Sequence, residues 1–409
     1  MKKFLSILLL VALSAACAPV TVQDPYDDAL CVLIVQAFYP HGYSEYVRKD
    51  VQVKAEDVNL GSVYSASTDA SGQAVLNVPK GLYRISCSDI AGEHIFNGAS
   101  DKVKVTDASV LLSLPLLHSK AGSIIIKEIY CGGCKRLPQE GSYSYDQYLI
   151  LHNNDFRVQY LDGLCVGALH PYNAMANNPF ISKDAATGET IFKDYVPISE
   201  AVWQFGGDGT SFPLQPGEDA VVCLKGAIDH SAQYPLSVNL DKPGYFVCYN
   251  STYFTNTTYH PAPGTNISQD HYLEVVVKTG VSNAYAFSQN SPAVVLYRAQ
   301  GMTMREFVQT EGSVIPIPGG SGGAQVTAVP LDWVVDAVEV FSGTSSANAK
   351  RLAPSLDAGY VTLSDTNLGH TLMRAVDQEA SASAGYEVLV DTNNSSQDLY
   401  ETQIQSLHE

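Results

Sequence analysis

Short runs of alternating apolar and polar residues, each cut off by a glycine- or proline-bearing turn, restrict this chain to β-structure. Val51-Gln52-Val53-Lys54-Ala55 alternates and Val63-Tyr64 follows, then the turn Thr68-Asp69-Ala70-Ser71-Gly72. Next come Ala74-Val75-Leu76-Asn77-Val78, a second turn at Pro79-Lys80-Gly81, and Leu82-Tyr83-Arg84-Ile85. Strands this short, with turns this close, predict a β-sandwich. A second unit opens at Gly122 with the strand Ser123-Ile124-Ile125-Ile126-Lys127-Glu128-Ile129-Tyr130. Further strands are expected at 147–152, 160–166 and 212–222. A chain of 409 residues is long enough for more than one core.

Lys2 and Lys3, the apolar run from Phe4 to Leu13, and Ser14-Ala15-Ala16-Cys17 have the layout of a secretory signal. The apolar run is too short to span a bilayer. The small residues before Cys17 resemble the box cleaved by lipoprotein signal peptidase, although Ser14 stands where Leu is commonest. The resemblance implies a signal peptide over 1–16, a lipid on Cys17 and a polar tether over 17–29. Acyl chains contribute about 0.8 kcal/mol per buried methylene, so the expected partner is a membrane reached through the lipid. Asp24, Asp27 and Asp28 resemble the acidic surface-export signals of Bacteroides-type lipoproteins. The expected address is the outer membrane, on the cell surface rather than the periplasmic face.

A formal charge of −18 argues against nucleic acid, which needs a basic surface. Once Cys17 is set aside, seven of the eight cysteines remain. An odd number leaves at least one thiol unpaired.

The Thr-Asp-x-x-Gly-x-Ala and Pro-x-Gly-x-Tyr-x-Ile arrangement within residues 30–116 resembles the transthyretin-like, carboxypeptidase-regulatory-like domains. An immunoglobulin-like sandwich acting as spacer or adaptor is implied there, without the histidine, arginine and Tyr-Arg-Gly-Ser set of the hydrolytic branch of that fold. Residues 120–409 are similar in order to the lamin-tail domain. Its outline is carried by the Glu128-Ile129 strand, the strand ending at Asn153-Asn154, the Asp162-Gly163 turn and Leu214-Gln215-Pro216-Gly217. Closing strands are expected around Val335–Val338, Arg374 and Asp391–Leu399. Stretches near 166–200 and 300–330 depart from that outline and are expected to be long loops. Tyr145-Asp146-Gln147-Tyr148, His152-Asn153-Asn154 and Tyr160-Leu161-Asp162-Gly163 resemble an uncharacterised Bacteroides-type lipoprotein family, domain of unknown function 4876. The expected fold is therefore all-β: a transthyretin-like sandwich, then a larger lamin-tail-like sandwich. The family resemblance would cover nearly the whole mature chain and implies architecture and address but no chemistry.

Cys131-Gly132-Gly133-Cys134 is the sharpest local motif. It could close a small disulfide, form a redox pair or supply half of a tetrahedral metal site. A redox pair needs a helix N-terminus, whereas a strand precedes this motif. A metal site needs two more ligands, for which only His152, His170 and Cys165 are candidates. A structural disulfide or a pair of loop thiols is the expectation, with no metal and no cofactor. Gly319-Gly320-Ser321-Gly322-Gly323 fits the letter of a nucleophile elbow, and Gly206-Gly207-Asp208-Gly209 that of a glycine-rich phosphate loop. Neither has the required strand-to-helix context, so both read as loops. Trp333 lies in a core-like run, while Trp203 and Phe205 border the 206–209 loop and are candidates for an exposed, ring-stacking ligand site.

These features point to a non-enzymatic, membrane-anchored lipoprotein that binds a ligand or partner through loops 166–210 and 300–330, with a role as accessory to a TonB-dependent outer-membrane transporter as one expectation. The alternatives are a hydrolase or metal-dependent protein with an unrecognised site in the second unit, and a structural or adhesive surface scaffold.

Overall fold

The alternation that predicts strands also predicts which side chains turn inward, and the computed structural model follows it. It describes residues 30–408 except 92, 93, 187, 189, 321, 322 and 344, so Cys17 lies outside the described residues. In Cys31–Phe38, every second residue from Cys31 to Ala37 is buried. This strand pairs antiparallel with Gln73–Val78 and parallel with Ser109–Pro115. A five-stranded antiparallel sheet faces it, in the order Val63–Ser67, Gln52–Asp57, Gly81–Ala91, His94–Val105, Leu117–Ser119. Leu33, Val35 and Leu76 of the first sheet pack on Val53, Tyr83, Ile85 and Phe96 of the second. The turn before Gln73 closes through Asp69, whose carboxylate accepts the Ser71 and Gln73 amides, with Gly72 at a φ of +79° that a side chain would resist.

The second unit contains two six-stranded sheets. One runs Phe246–Val247, Asp219–Cys223, Tyr148–Asn153, Ile124–Tyr130, Thr371–Arg374, Leu399–Thr402. The other runs Glu274–Lys278, Ala201–Gln204, Leu164–Ala168, Ala293–Arg298, Val334–Ser342, Val361–Leu363. Ile126, Leu149, Leu151, Val166, Trp203, Val294, Leu296, Val338 and Val340 fill the space between them. The outer faces are covered as well. Tyr130, Tyr148, Ile150, Val221 and Val247 lie under Ala227, Val238, Leu240 and Ile267. Cys165, Val295 and Tyr297 lie under Val196, Ile198, Met304, Phe307 and Val329. Burial on both faces explains why all six residues of Tyr148–Asn153 are buried and why strands such as Ala293–Arg298 are continuously apolar. Among the described residues, no helix is long and apolar enough to cross a membrane.

The stretches near 166–200 and 300–330 are not simply loops. Tyr195–Ile198, Gln325–Pro330 and Val314–Pro316 form a three-stranded antiparallel sheet that covers one outer face, helped by the short helix Met304–Phe307 with its Thr303–Glu306 capping box. The described strands on either side of the 319–323 motif, Val314–Pro316 and Gln325–Pro330, pair antiparallel and so lack the strand-to-helix context of an elbow; Ser321 and Gly322 lie outside the described residues. The 391–399 segment also differs from the expected strand. It is a loop and the short helix Ser395–Asp398, capped by Asn394, and only then the strand Leu399–Thr402.

One buried arginine ties these pieces together. The Arg374 guanidinium donates two hydrogen bonds to Asp336, at 2.9 and 3.1 Å, and further bonds to Asp391 at 3.3 Å and Asp398 at 3.5 Å. Its Nε donates to the Ile126 carbonyl, and the Ile126 amide donates back to Asp336. Asp398 orders the neighbouring loop by accepting the amides of Thr392 and Asn394. The first unit docks on that loop: Asn97 donates to the Thr392 and Asn393 carbonyls, and Asn394 donates to Ser88. Arg84, also from the first unit, lies over the rings of Phe341 and Tyr360.

Three carboxylates around one guanidinium carry excess negative charge. Burial pushes Asp336 up to about 6 and Asp398 up to about 7, even though Arg374 opposes the rise. Because these values lie above the ordinary carboxyl value near 4, the two groups favour the folded state at low pH, and that contribution is lost as pH rises through about 6 to 7. Arg374→Met removes the opposing charge and should cost about 3–5 kcal/mol near pH 8, with a smaller deficit near pH 5.5 where the carboxyls hold protons. Urea unfolding of both proteins at the two pH values checks this. A deficit that is equal at both, or close to zero, contradicts it.

Candidate functional site

The residues singled out in the sequence go to different places. Cys131 and Cys134 are buried free thiols, not a disulfide. Their side chains take different partners: Cys131 donates to the Gln289 carbonyl at 3.6 Å and Cys134 to Asp146 at 3.8 Å. Gly133 makes the turn between them with φ of +76°, and a Cβ there would lie 2.2 Å from the Tyr143 carbonyl oxygen. Burial pushes both thiols up to about 12, with Asp146 adding to the rise at Cys134, so neither is a ready thiolate. His170 and Cys165 join no metal-like group with them among the described residues.

Trp203 and Phe205 are also corrected. Both are buried to within 1% of complete, in the core between the two large sheets, where Trp203 stacks on Phe254 with centroids 5.5 Å apart. They offer no exposed face to a ligand. The 206–209 loop beside them wraps a carboxylate of the protein itself. Asp162 accepts the amides of Gly209, Ser211 and Phe212 at 2.8–3.0 Å. Burial alone would raise the Asp162 value, but these amides bring it below the usual range.

His152, Asp219 and Glu387 form a group of potential metal ligands. The ligand atoms are already engaged. His152 meets Asp219 through Nδ1 at 2.6 Å and the Glu387 carbonyl through Nε2 at 3.0 Å. The Lys127 ammonium donates to both carboxylates, at 2.6 and 2.5 Å. An ammonium in the position a cation would take makes this an ion cluster that joins strands. The neighbouring motif residues are structural too: Asn154 exchanges two bonds with the Leu389 backbone, and Gln147 bridges the Cys131 and Phe287 backbones.

Two clefts of about 470 and 460 Å³ open along the seam between the units. The second is lined by Lys54, Glu56, Arg84, Asp101, Lys350 and Tyr360. Most of its charges are engaged: Arg84 donates to the Asn348 carbonyl and lies 3.6 Å from Asp101, Lys350 donates to Gly359, and Tyr360 donates to Glu56.

A different surface combines half-exposed rings with unpaired cations, where the Cys134–Lys135/Ser142–Tyr143 hairpin meets the loops following Cys223 and Phe254. Four tyrosines form a chain there. Ring centroids are 4.2 Å apart for Tyr234 and Tyr143, 5.1 Å for Tyr143 and Tyr145, and 5.2 Å for Tyr145 and Tyr259. Tyr143 is buried, Tyr145 and Tyr234 are half-buried, and Tyr259 is 44% exposed. Tyr143 is fixed from below. The His230 Nε2 faces the Gly226 carbonyl and so carries hydrogen, which leaves Nδ1 to accept from the Tyr143 hydroxyl at 2.6 Å. Lys225 lies 4.7 Å from the Tyr145 centroid and donates to the Ser144 carbonyl; Arg136 lies 5.7 Å from the Tyr234 centroid. Neither has a carboxylate within ion-pair distance among the described residues. Burial pulls Lys225 down to about 8, partly offset by the charge of Asp146 below. Asp146 is fully buried, accepts from Tyr130, Ser237 and Cys134, and leaves its Oδ1 without a hydrogen-bond partner. Burial pushes its carboxyl upward.

The class defined by these observations is an all-β protein of two packed units. Residues 215–406 match the family model described as "Protein of unknown function (DUF4876)". The match is shorter than the near-complete coverage expected, and the Tyr145–Tyr148, His152–Asn154 and Tyr160–Gly163 segments lie before it. A crystal structure of a DUF4876 family protein from Bacteroides thetaiotaomicron VPI-5482 superposes with a TM-score of 0.59 at 24% identity, over 92% of this chain and 96% of that one. That likeness is one of fold. No curated protein matches the chain.

With both thiols buried and protonated, native protein at neutral pH should resist alkylation at Cys131 and Cys134, and denatured protein should be modified at both without a reductant. Peptide mass spectrometry reads this. Rapid native labelling, or a 131–134 disulfide in the unreduced protein, contradicts it.

Proposed function

We propose that this protein is a lipid-anchored, non-enzymatic binding protein of the bacterial outer membrane that captures saccharides on the tyrosine surface formed by Tyr145, Tyr234 and Tyr259. The observation that carries this reading is the set of half-exposed rings held over a packed base. Stacking surfaces of this kind suit the apolar faces of pyranose rings, and a side chain with only two side-chain torsions loses little entropy on contact. The second seam cleft supports the reading less well, because Arg84, Lys350 and Glu56 are already engaged by groups of the protein. The anchor rests on the Lys2-Lys3, apolar-run and Ser14-Ala15-Ala16-Cys17 layout. Saccharide capture beside the membrane would suit an accessory to an outer-membrane transporter, and co-purification of such a transporter from gently solubilised membranes is the expected result; a lone protein counts against that role.

A glycan array carrying neutral and acidic oligosaccharides tests the binding reading. A subset should be retained, and Tyr259→Ala should weaken it about five- to tenfold, the worth of one exposed ring contact, with an unchanged melting temperature. Absence of any retained glycan, or full binding by the variant, contradicts it. Replacing Cys17 by Ala should move the protein from the membrane to the soluble fraction.

A further inference from the structure

We infer that the saccharide taken by the tyrosine surface is acidic, a chain of uronate-type sugars whose carboxylates are met by Arg136 and Lys225; this rests on the binding reading above and adds the ligand's charge. Acidic residues outnumber basic ones 42 to 24 in this chain, so a cation has many carboxylates with which it could pair. Several cations elsewhere follow that expectation. Arg374 and Arg351 sit on buried carboxylates, Lys127 bridges two, and Arg305 pairs with Glu274 even at the surface. Among the described residues Arg136 and Lys225 have no such carboxylate, nor do Arg298, Lys278 and Lys350, whose donors go to backbone carbonyls; Arg136 and Lys225 are set apart by lying on one chain of partly exposed rings.

Arg136 holds its guanidinium over the Tyr234 ring, half-buried, and its Nε has no hydrogen-bond partner. Lys225 is nine-tenths buried, yet its ammonium has a single backbone carbonyl and a ring face as company. Leaving donors of this kind incompletely satisfied is costly, and a ligand carboxylate would supply the missing acceptor. Asp146 does not serve as that acceptor. Its Oδ2 is taken by Tyr130, Ser237 and Cys134, and no bond joins it to Lys225.

The ring chain relates the two cations. Lys225 is on Tyr145 and Arg136 on Tyr234, with Tyr143 between those rings. A ligand lying along the chain from Tyr259 past Tyr145 to Tyr234 therefore meets an ammonium at Tyr145 and a guanidinium at Tyr234, the far end. Two cations on different rings of the chain suit an extended polymer with a negative charge on every ring better than a single anion. A lipid headgroup fits less well, because anionic membranes recruit clusters of about four to eight cations.

Calorimetric titration of the full mature chain with tetragalacturonate and with its fully methyl-esterified form separates charge from ring stacking, since the rings are identical. The acid should bind about tenfold tighter at low salt, the factor of one charge-assisted hydrogen bond, and the preference should shrink as salt is raised. Arg136→Gln, at a half-exposed position, should remove most of the preference, read as the ratio of the acid and ester affinities of the same variant. Lys225→Met should act in the same direction, and circular dichroism identifies any loss of fold at that buried site. Equal affinity for acid and ester overturns the inference while the saccharide reading stands. Binding of neither form overturns both, and an acid preference that survives Arg136→Gln overturns the assignment of the cation.

Discussion

The Arg374 guanidinium and the three carboxylates around it are the interaction on which the rest of the architecture depends. Sheets covered on both faces leave little water to satisfy irregular backbone, so the segments that cross their edges need internal acceptors. Asp336, on Val334–Ser342, receives both Arg374 and the Ile126 amide, which joins the two large sheets. Asp398 passes the constraint to the 392–394 loop. Asp357 does similar work nearby, accepting the Glu339, Gly359 and Ser395 amides, and Glu339 in turn holds Arg351. The first unit docks on backbone ordered in this way, through Asn97, so the two sandwiches meet at a fixed polar seam.

The same layering accounts for the placement of the candidate site. The loops after Cys223 and Phe246 fold back over the outer face of the first large sheet and bury Val238, Leu240 and Ile267 there. The tyrosines are carried on the margin of that cover. Their base is rigid because Tyr143, His230 and the Gly226 carbonyl form one hydrogen-bonded line, and Asp146 ties Tyr130 to Ser237 underneath. A surface held this way meets a ligand without ordering itself first, which limits the entropy lost on binding.

The all-β class was legible because period-two runs and close turns leave little else to build, and Ile124–Tyr130 and Tyr148–Asn153 lie where those runs place them. Tyr195–Ile198 and Val314–Pro316 were missed because each is short and contains proline, features that read as loop when no partner strand is in view. Trp203 was misplaced for a related reason. A glycine pair follows it closely, as at a sandwich rim, yet the side chain points between two sheets. The Cys131–Cys134 spacing permits a disulfide, but the turn at Gly133 gives the two sulfurs separate partners. The tyrosine surface had no local signature. Its residues come from positions 136, 145, 225, 234 and 259, and among 24 tyrosines no spacing marks those that meet.

A crystal structure of the mature protein grown with an oligogalacturonate tests the central claim most directly. The account predicts sugar rings against Tyr145 and Tyr259, with a carboxylate in contact with Arg136 or Lys225. Saccharide lodged instead in the seam cleft between Lys54, Arg84 and Tyr360, with the tyrosine surface bare, would contradict it.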